Sequence, residues 1–525
     1  MTDMVLIVDA LSAGKGRRTS SRDSIGCGPR TIAGVFELRS IPCRIMRVES
    51  LFNQKSSLKN FNHLTISAMS MDLPIVRKAV QYWRSKKKGR IVIGGPIANE
   101  PTVLQSVRPD LIVIGEGEAT LDELIQSNYF DEKIELDEIP GIAYLEENNI
   151  KITNPRDFLD SKTLSQKYIP SAVRVTDYPG FKASRVYVEV LRGCSNFKRT
   201  KLELPDGRKC SECSNCDSSN LAERIDCPED IPPGCGFCSV PNSWGAPRSR
   251  EKNVIVKEIE DLLTLGVRRI VLEAPDFLDY QRGKYPITDP CQPPANLLEI
   301  KDLLNAIIQL PLFQESQAHL SIENIKACLF TKEVAEMLSA TLPNTSPNIG
   351  LETGSSQHAD SIGKCGSPED VLRAVRLASE HGMSTYVYFI YGLPGETSET
   401  VDESIRLMKL ASENGAERVI LYGFRALPGS AFEDFPEPSS DYLFGKKLQE
   451  AARSINKQKK QEYIGRIIRV VASEPSWAKK GYTMFYPLGE GPLLTVRGSY
   501  SSGTVMSVRV TRVLSPGLLE AEPAS

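Results

Sequence analysis

Short apolar runs alternate with stretches of helical periodicity over two successive lengths of this chain, and that alternation restricts both to parallel α/β architectures. In the first length, residues 1–155, the runs are Val5 to Val8, Cys43 to Val48, Leu64 to Ala68, Ile91 to Ile93 and Leu111 to Ile114. They predict a doubly wound sheet. Two of its strands close on glycine turns, Gly94-Gly95-Pro96 and Gly115-Glu116-Gly117-Glu118, at the carboxyl ends where such sheets bind ligands. Gly141 to Thr153 reads as a hairpin turning at Glu147-Asn148-Asn149. The second length, residues 180–435, offers six strands: Val186 to Leu191, Arg269 to Glu273, His319 to Glu323, Asn348 to Glu352, Ser384 to Tyr391 and Arg418 to Phe424. Helical stretches fill the intervals, so a partial (β/α)6 barrel is expected. Pro275 to Pro294, rich in Pro, Asp and Tyr, reads as a long loop over its mouth. After a Lys-rich helix at Lys446 to Lys460, residues 461–525 change to short alternating runs, which predict a small β-barrel.

The chain has 12 cysteines, and its amino terminus shows no basic region followed by a long apolar stretch. A cytoplasmic protein is expected, and reduced thiols then favour metal ligation over disulfides. Three cysteines stand out, in Arg192-Gly193-Cys194 and in Cys235-Gly236-Phe237-Cys238. Three thiolates can hold a 4Fe-4S cluster and leave one iron open to a substrate or cofactor. Residues 195–234 separate the two fragments and carry a second group, Cys210, Cys213, Cys216 and Cys227, among polar residues. With no apolar core foreseen around them, these four predict a metal site, either zinc or an auxiliary iron–sulfur cluster, with zinc favoured. Cys27, Cys43, Cys291, Cys328 and Cys365 read as buried thiols, and His63 as a core residue.

Together with Gly350-Leu351-Glu352-Thr353-Gly354 and Gly392-Leu393-Pro394-Gly395-Glu396-Thr397, these motifs make the chain resemble a radical S-adenosylmethionine (SAM) enzyme of the cobalamin-binding-domain type. The carboxyl-terminal module is similar to a TRAM domain. The family's compact Cys-x3-Cys-x2-Cys motif is split here by the insertion. The resemblance implies a 4Fe-4S cluster on Cys194, Cys235 and Cys238, SAM on its open iron, an electron donor, and homolysis of SAM to a 5′-deoxyadenosyl radical. It implies SAM contacts at Glu352 and around Gly392, Pro394 and Gly395. Glu323 is a further candidate at a strand end, and Gly94 and Gly95 are candidates in the first domain. For cobalamin two readings stay open, a bound corrinoid or a sheet that only presents substrate. The nearest match to the cobalt-ligating Asp-x-His-x-x-Gly is Asp23-Ser24-Ile25-Gly26-Cys27-Gly28, with Ile in place of His.

Lys and Arg total 64 against 66 Asp and Glu, so nucleic-acid binding would have to come from a local surface. The terminal module offers Arg466, Arg469, Lys479, Lys480, Arg497, Arg509 and Arg512, with Trp477, Tyr482 and Tyr486 for stacking. The resemblance implies RNA, tRNA above all, as the target and methylation of an unactivated carbon as the reaction. Methylthiotransferase-like sulfur insertion is the alternative, and a cluster-bearing RNA-binding protein without turnover the second. No apolar run is long enough to span a bilayer, so no membrane partner is expected.

Overall fold

A computed structural model describes residues 4–16, 18, 21–53, 57–86, 89–343, 345–515 and 517–524. The chain divides into two compact units, Met1–Val188 with Arg250–Leu265, and Glu189–Ser249 with Gly266–Ser525.

The first unit is built on β1 (Met4–Asp9), β2 (Cys43–Arg47), β3 (Phe61–Ser67), β4 (Ile91–Gly94), β5 (Leu111–Val113), β6 (Ile142–Glu146) and β7 (Asn149–Ile152). Their order is β2-β1-β3-β4-β5-β6-β7, parallel through β5 and antiparallel in the final hairpin. Val5 to Val8 are all buried, as a strand covered on both faces requires. The strand order reverses between β1 and β3, which makes their carboxyl ends the topological switch point. The buried Asp72 carboxylate ties the loops there together, accepting from the backbone N–H groups of Ser12 (3.1 Å), Gly14 (2.6 Å) and Met69 (2.9 Å). Gly95 has φ +89°, and a Cβ there would lie 2.8 Å from the Ala68 carbonyl oxygen, so the turn after β4 needs glycine. The helix Lys252–Thr264 belongs to this unit because Glu258 pairs with the fully buried Arg30 at 2.7 Å, and Arg250 donates to the Tyr168 carbonyl at 3.2 Å.

The second unit contains parallel strands β9 (Arg269–Glu273) and β10 (His319–Ile322); β8 (Arg185–Glu189) ends where this unit begins. A short segment, Asn324–Ile325, pairs in parallel with β11 (Asn348–Glu352), which pairs with β12 (Thr385–Tyr391) and that with β13 (Ala416–Gly423). Helix Leu297–Ile308, capped by the Asn296 side chain, was not anticipated. The stretch expected to form a loop has no regular element beyond the short turn Phe277–Asp279; its first part is buried and its second part, with Tyr285 61% exposed, is not. Phe277, Leu278, Tyr280 and Arg282 are all buried, because Asp276, Asp279 and Arg282 find charged partners inside.

The terminal module is a closed five-stranded barrel of β14 (Ile467–Pro475), β15 (Tyr482–Pro487), β16 (Leu493–Arg497), β17 (Val505–Ser515) and β18 (Leu518–Pro523), in the order β14-β15-β16-β18-β17. Its core holds Val470, Phe485, Leu494, Val496, Val508, Val510 and Leu519. The last strand was missed in the sequence, although its pairing is what closes the barrel.

Candidate cluster and cofactor site

Two backbone approaches bring the split cysteine motif together. Gly193, at φ +91°, lies so close to Gly245 and Ala246 that a Cβ would overlap their carbonyl oxygens, and Cys194 N–H donates to the Gly245 carbonyl at 3.0 Å. Gly234 N–H donates to the Lys198 carbonyl at 2.8 Å, so residues 199–233 leave and return at one point. The intervening chain is thereby looped out, and Cys194 faces Cys235 and Cys238. Asn196 spans two of the three sulfurs, with its backbone N–H 3.5 Å from Cys194 Sγ and its side-chain amide 3.3 Å from Cys235 Sγ. The three thiols lie within electrostatic reach of one another. Burial pushes the Cys235 and Cys238 thiols up to about 12 and raises Cys194 as well. Such sulfurs ionise only when a cationic group takes the charge, as iron does. Among the described residues no group of three or more His, Cys, Asp or Glu is arranged around a single metal ion. Ligands of a four-iron cubane bind separate irons and stand further apart.

Beside the thiols lies an ion pair with unusual backbone. Glu352 adopts φ +63°, uncommon for a residue with a Cβ, and β11 shifts register at that point. Its carboxylate folds back over Gly350, where a Cβ would overlap Oε1, and meets Lys364 Nζ at 3.2 Å. The Gly350-Leu351-Glu352 motif thus has a steric reason for its glycine. Lys364 is enclosed; burial opposes its charge, but Glu352 and Cys235 raise its pKa above the ordinary lysine value. An ammonium and a carboxylate side by side complement the carboxylate and ammonium of an amino acid such as the methionyl part of SAM.

A second charged group packs behind Cys194. Lys326 Nζ reaches Asp279 at 2.7 Å, Asp276 at 3.0 Å and Ser195 Oγ at 2.8 Å, and Arg282 donates to the same Ser195 oxygen at 2.8 Å. Burial works against the Asp279 charge, but Lys326 and Arg282 prevail and hold its carboxyl below the ordinary value. Lys364, Asn196 and Lys326 were missed in the sequence. The only signal for Lys364 was a lysine held between glycine turns in Gly363-Lys364-Cys365-Gly366.

The other expected contacts fall variously. The turn after β12 is internally satisfied: Gly392 N–H donates to Glu396 at 3.0 Å, and His358 Nε2 donates to the Pro394 carbonyl at 2.8 Å. Gly395 packs against the His358 ring. Glu323 lies between β10 and Asn324–Ile325, its carbonyl accepting from Asn348 N–H at 3.2 Å. Gly94 and Gly95 close β4 in the first unit.

Three expectations need correction. Cys291 and Cys328 form a disulfide, Cα–Cα 5.6 Å, rather than two separate buried thiols. The insertion is not without apolar packing, because Leu204 and Ile231 are buried with Cys210 and Cys227 against them. Tyr486 is not available for stacking: it is 4% exposed and lies under the Arg269 guanidinium, 5.6 Å from its centroid. Alternation puts Phe485 in the barrel core and turns Tyr486 to the outer face, where Arg269 covers it. Trp477 is 56% exposed, whereas Tyr482 is half-buried under Lys479.

Residues 227–408 match the Radical SAM superfamily, a match that starts beyond Cys194 and includes Cys235 and Cys238. The radical SAM methyltransferase TsrM of Kitasatospora setae, solved with cobalamin and a 4Fe-4S cluster, superposes with a TM-score of 0.58 at 16% identity, over 82% of this chain and 74% of that one. The fold is therefore that of a radical SAM enzyme, a class that uses a 4Fe-4S cluster, SAM and an external electron donor. Over 97% of this chain and 96% of its own length, the uncharacterized protein MJ1620 of Methanocaldococcus jannaschii is 38% identical, and the chain belongs to the same family. The tRNA-2-methylthio-N(6)-dimethylallyladenosine synthase of Clostridium novyi is 25% identical over 54% of this chain and 60% of its own. No helix among the described residues is long and apolar enough to cross a membrane.

Proposed function

We propose that this protein is a radical SAM methyltransferase acting on RNA, with tRNA the favoured substrate. The observation that carries the reading is the convergence of Cys194, Cys235 and Cys238 beside the Glu352–Lys364 pair. The three partly exposed thiols fit a cubane, with Asn196 donating toward two of the sulfurs, and they would leave one iron for SAM. Reduced by an external donor and with SAM bound, the cluster would supply the electron that cleaves SAM to a 5′-deoxyadenosyl radical. The chain's own residues would do the rest: Lys364 would face the SAM carboxylate, Glu352 would accept from the N–H of its iron-bound amino group, and the enclosed Asp276, Asp279, Lys326 and Arg282 fix the loop that presents Cys194. Burial of these groups keeps water from the reacting centre.

The first unit is read as a corrinoid-binding sheet. Its strand order has the switch point that such ligands use, and the structurally similar TsrM was solved with cobalamin. Cobalt would receive no imidazole from this unit. Ile25 stands at the ligating position, and the unit's single histidine, His63, lies near the start of β3, with its Nδ1 accepting from Arg90 N–H at 3.1 Å. The terminal barrel is read as a TRAM-like RNA surface, with Trp477, Lys480 and Arg497 exposed. Sulfur insertion, the activity that the Clostridium novyi relative's name describes, is the second reading.

Metal and cofactor analysis of anaerobically reconstituted protein, followed by incubation with methyl-labelled SAM, a reductant and unmodified tRNA, tests this. Cobalt bound at about one per chain, label carried into tRNA and iron lost from Cys235→Ala are the expected results. Methylthio product without cobalt would favour the second reading, and a Cys235→Ala protein that keeps all its iron would reject the cluster assignment.

A further inference from the structure

We infer that the insertion holds a second 4Fe-4S cluster on Cys210, Cys213, Cys216 and Cys227, and that this cluster is where electrons enter the enzyme. The inference rests on placing the first cluster at Cys194, Cys235 and Cys238. Spacing argues against zinc. Structural zinc is gripped by two separate pairs of ligands, whereas Cys210-x2-Cys213-x2-Cys216 puts three thiols in one unbroken series. That series, completed by a fourth cysteine followed by proline, here Cys227-Pro228, is the arrangement of ferredoxin-type cubanes.

The structure brings Cys210 and Cys216 together and sets Cys227 against the same apolar group as Cys210. Arg199, itself buried, donates to the Ile225 carbonyl at 2.8 Å and the Ile231 carbonyl at 3.3 Å, and its guanidinium lies 3.9 Å from Cys216 Sγ. Asn215 donates to the Asp226 carbonyl at 3.2 Å, joining the neighbours of Cys216 and Cys227. Cys210 and Cys216 lie within electrostatic reach of each other, and Cys213 sits midway between them in sequence, exposed to solvent.

The same packing leads to the first cluster. Cys210 and Cys227 lie against an apolar group formed by Leu204, Ile231, Ile362 and Phe432, and Phe237, which separates Cys235 from Cys238, packs on that group as well. Gly236 N–H donates to the Ile362 carbonyl at 2.7 Å. A donor protein meeting the exposed Cys213 edge would therefore be connected through continuous packed chain to the thiols of Cys235 and Cys238. One electron passes from a low-potential flavodoxin- or ferredoxin-type protein through the insertion for each SAM C5′–S bond broken. No bond forms or breaks at the insertion itself.

The test compares wild type, Cys213→Ala and Cys235→Ala after anaerobic reconstitution, measuring iron, sulfide and zinc, the Mössbauer spectrum, and 5′-deoxyadenosine formed with dithionite or with photoreduced flavodoxin. About eight irons and no zinc are expected in wild type and about four in Cys213→Ala. For Cys213→Ala, cleavage should stay within about twofold with dithionite and fall at least about tenfold with flavodoxin. One zinc per chain, or only four irons in wild type, would overturn the second cluster, and the wild-type Mössbauer count decides this even if the variant fails to fold. Equal loss with both donors, or loss with neither, would overturn the relay. Cys235→Ala separates the two readings: SAM cleavage by that variant would reject the first cluster assignment and leave the iron count of the insertion to be judged independently.

Discussion

Gly350 shows how much of this site depends on one missing Cβ. Gly350→Ala would push the Glu352 carboxylate off its place beside Lys364, a shift that the end of a flexible side chain makes at little cost to stability. SAM affinity measured by equilibrium dialysis on the reconstituted protein should fall, while the iron content holds. Lys364→Met removes one charge of an enclosed pair and strands the other, so SAM binding should weaken by about thirtyfold or more, because truncating one partner of such a pair costs about 2–5 kcal/mol. An undiminished affinity would show that Lys364 serves the fold alone. Glu352 was legible in the sequence because it closes a strand beside glycines. Lys364 was not, since a lysine in a polar-looking turn reads as solvated until the fold encloses it.

At the level of elements, the closed stem of the insertion makes a direct prediction. Replacing residues 199–233 by a short glycine linker should leave the first cluster loaded, because the Lys198–Gly234 hydrogen bond already fixes both ends. Iron per chain and dithionite-driven SAM cleavage check it. A different element governs acid sensitivity. His319 starts β10, its ring in contact with the Gly489 backbone position of the terminal barrel, and burial first and Arg269 second lower its pKa to about 4. Its folded value lies below the unfolded value of about 6.5, so the stability linked to the neutral ring is present above that pH and is lost as pH falls toward 4. Thermal unfolding from pH 7.5 to 4 should show that loss in wild type and a flatter profile in His319→Asn. The apolar runs located most strands to within a few residues. Helix Leu297–Ile308 escaped notice because it directly follows a Pro-rich stretch read as loop, and β18 because Leu518 and Leu519 are its only large apolar residues before Glu520, Ala521 and Glu522.

For the whole molecule, the net charge of −2 means that the proposed RNA recognition would fall to a small part of the surface. The barrel's cations are partly spent internally, since Glu520 holds both Lys479 and Arg512. Lys480 and Arg497 remain exposed. The double variant Lys480→Glu/Arg497→Glu should weaken tRNA binding and reduce its salt dependence by about two counterions' worth, as filter binding across a salt series would record. The radical SAM domain was legible in its short motifs, but the substrate was not, because a basic barrel surface has the same composition as an ordinary solvated one. The stem at Lys198 and Gly234 also bears on how such a chain comes to exist. Lengthening a loop whose ends already touch costs only about 0.6 kcal/mol per doubling, so growth from a few residues to the present insertion cost about 2 kcal/mol. At so small a cost an ancestral motif could be split, and the new segment left free to vary under its own selection, while the chemistry on either side of it was inherited unchanged.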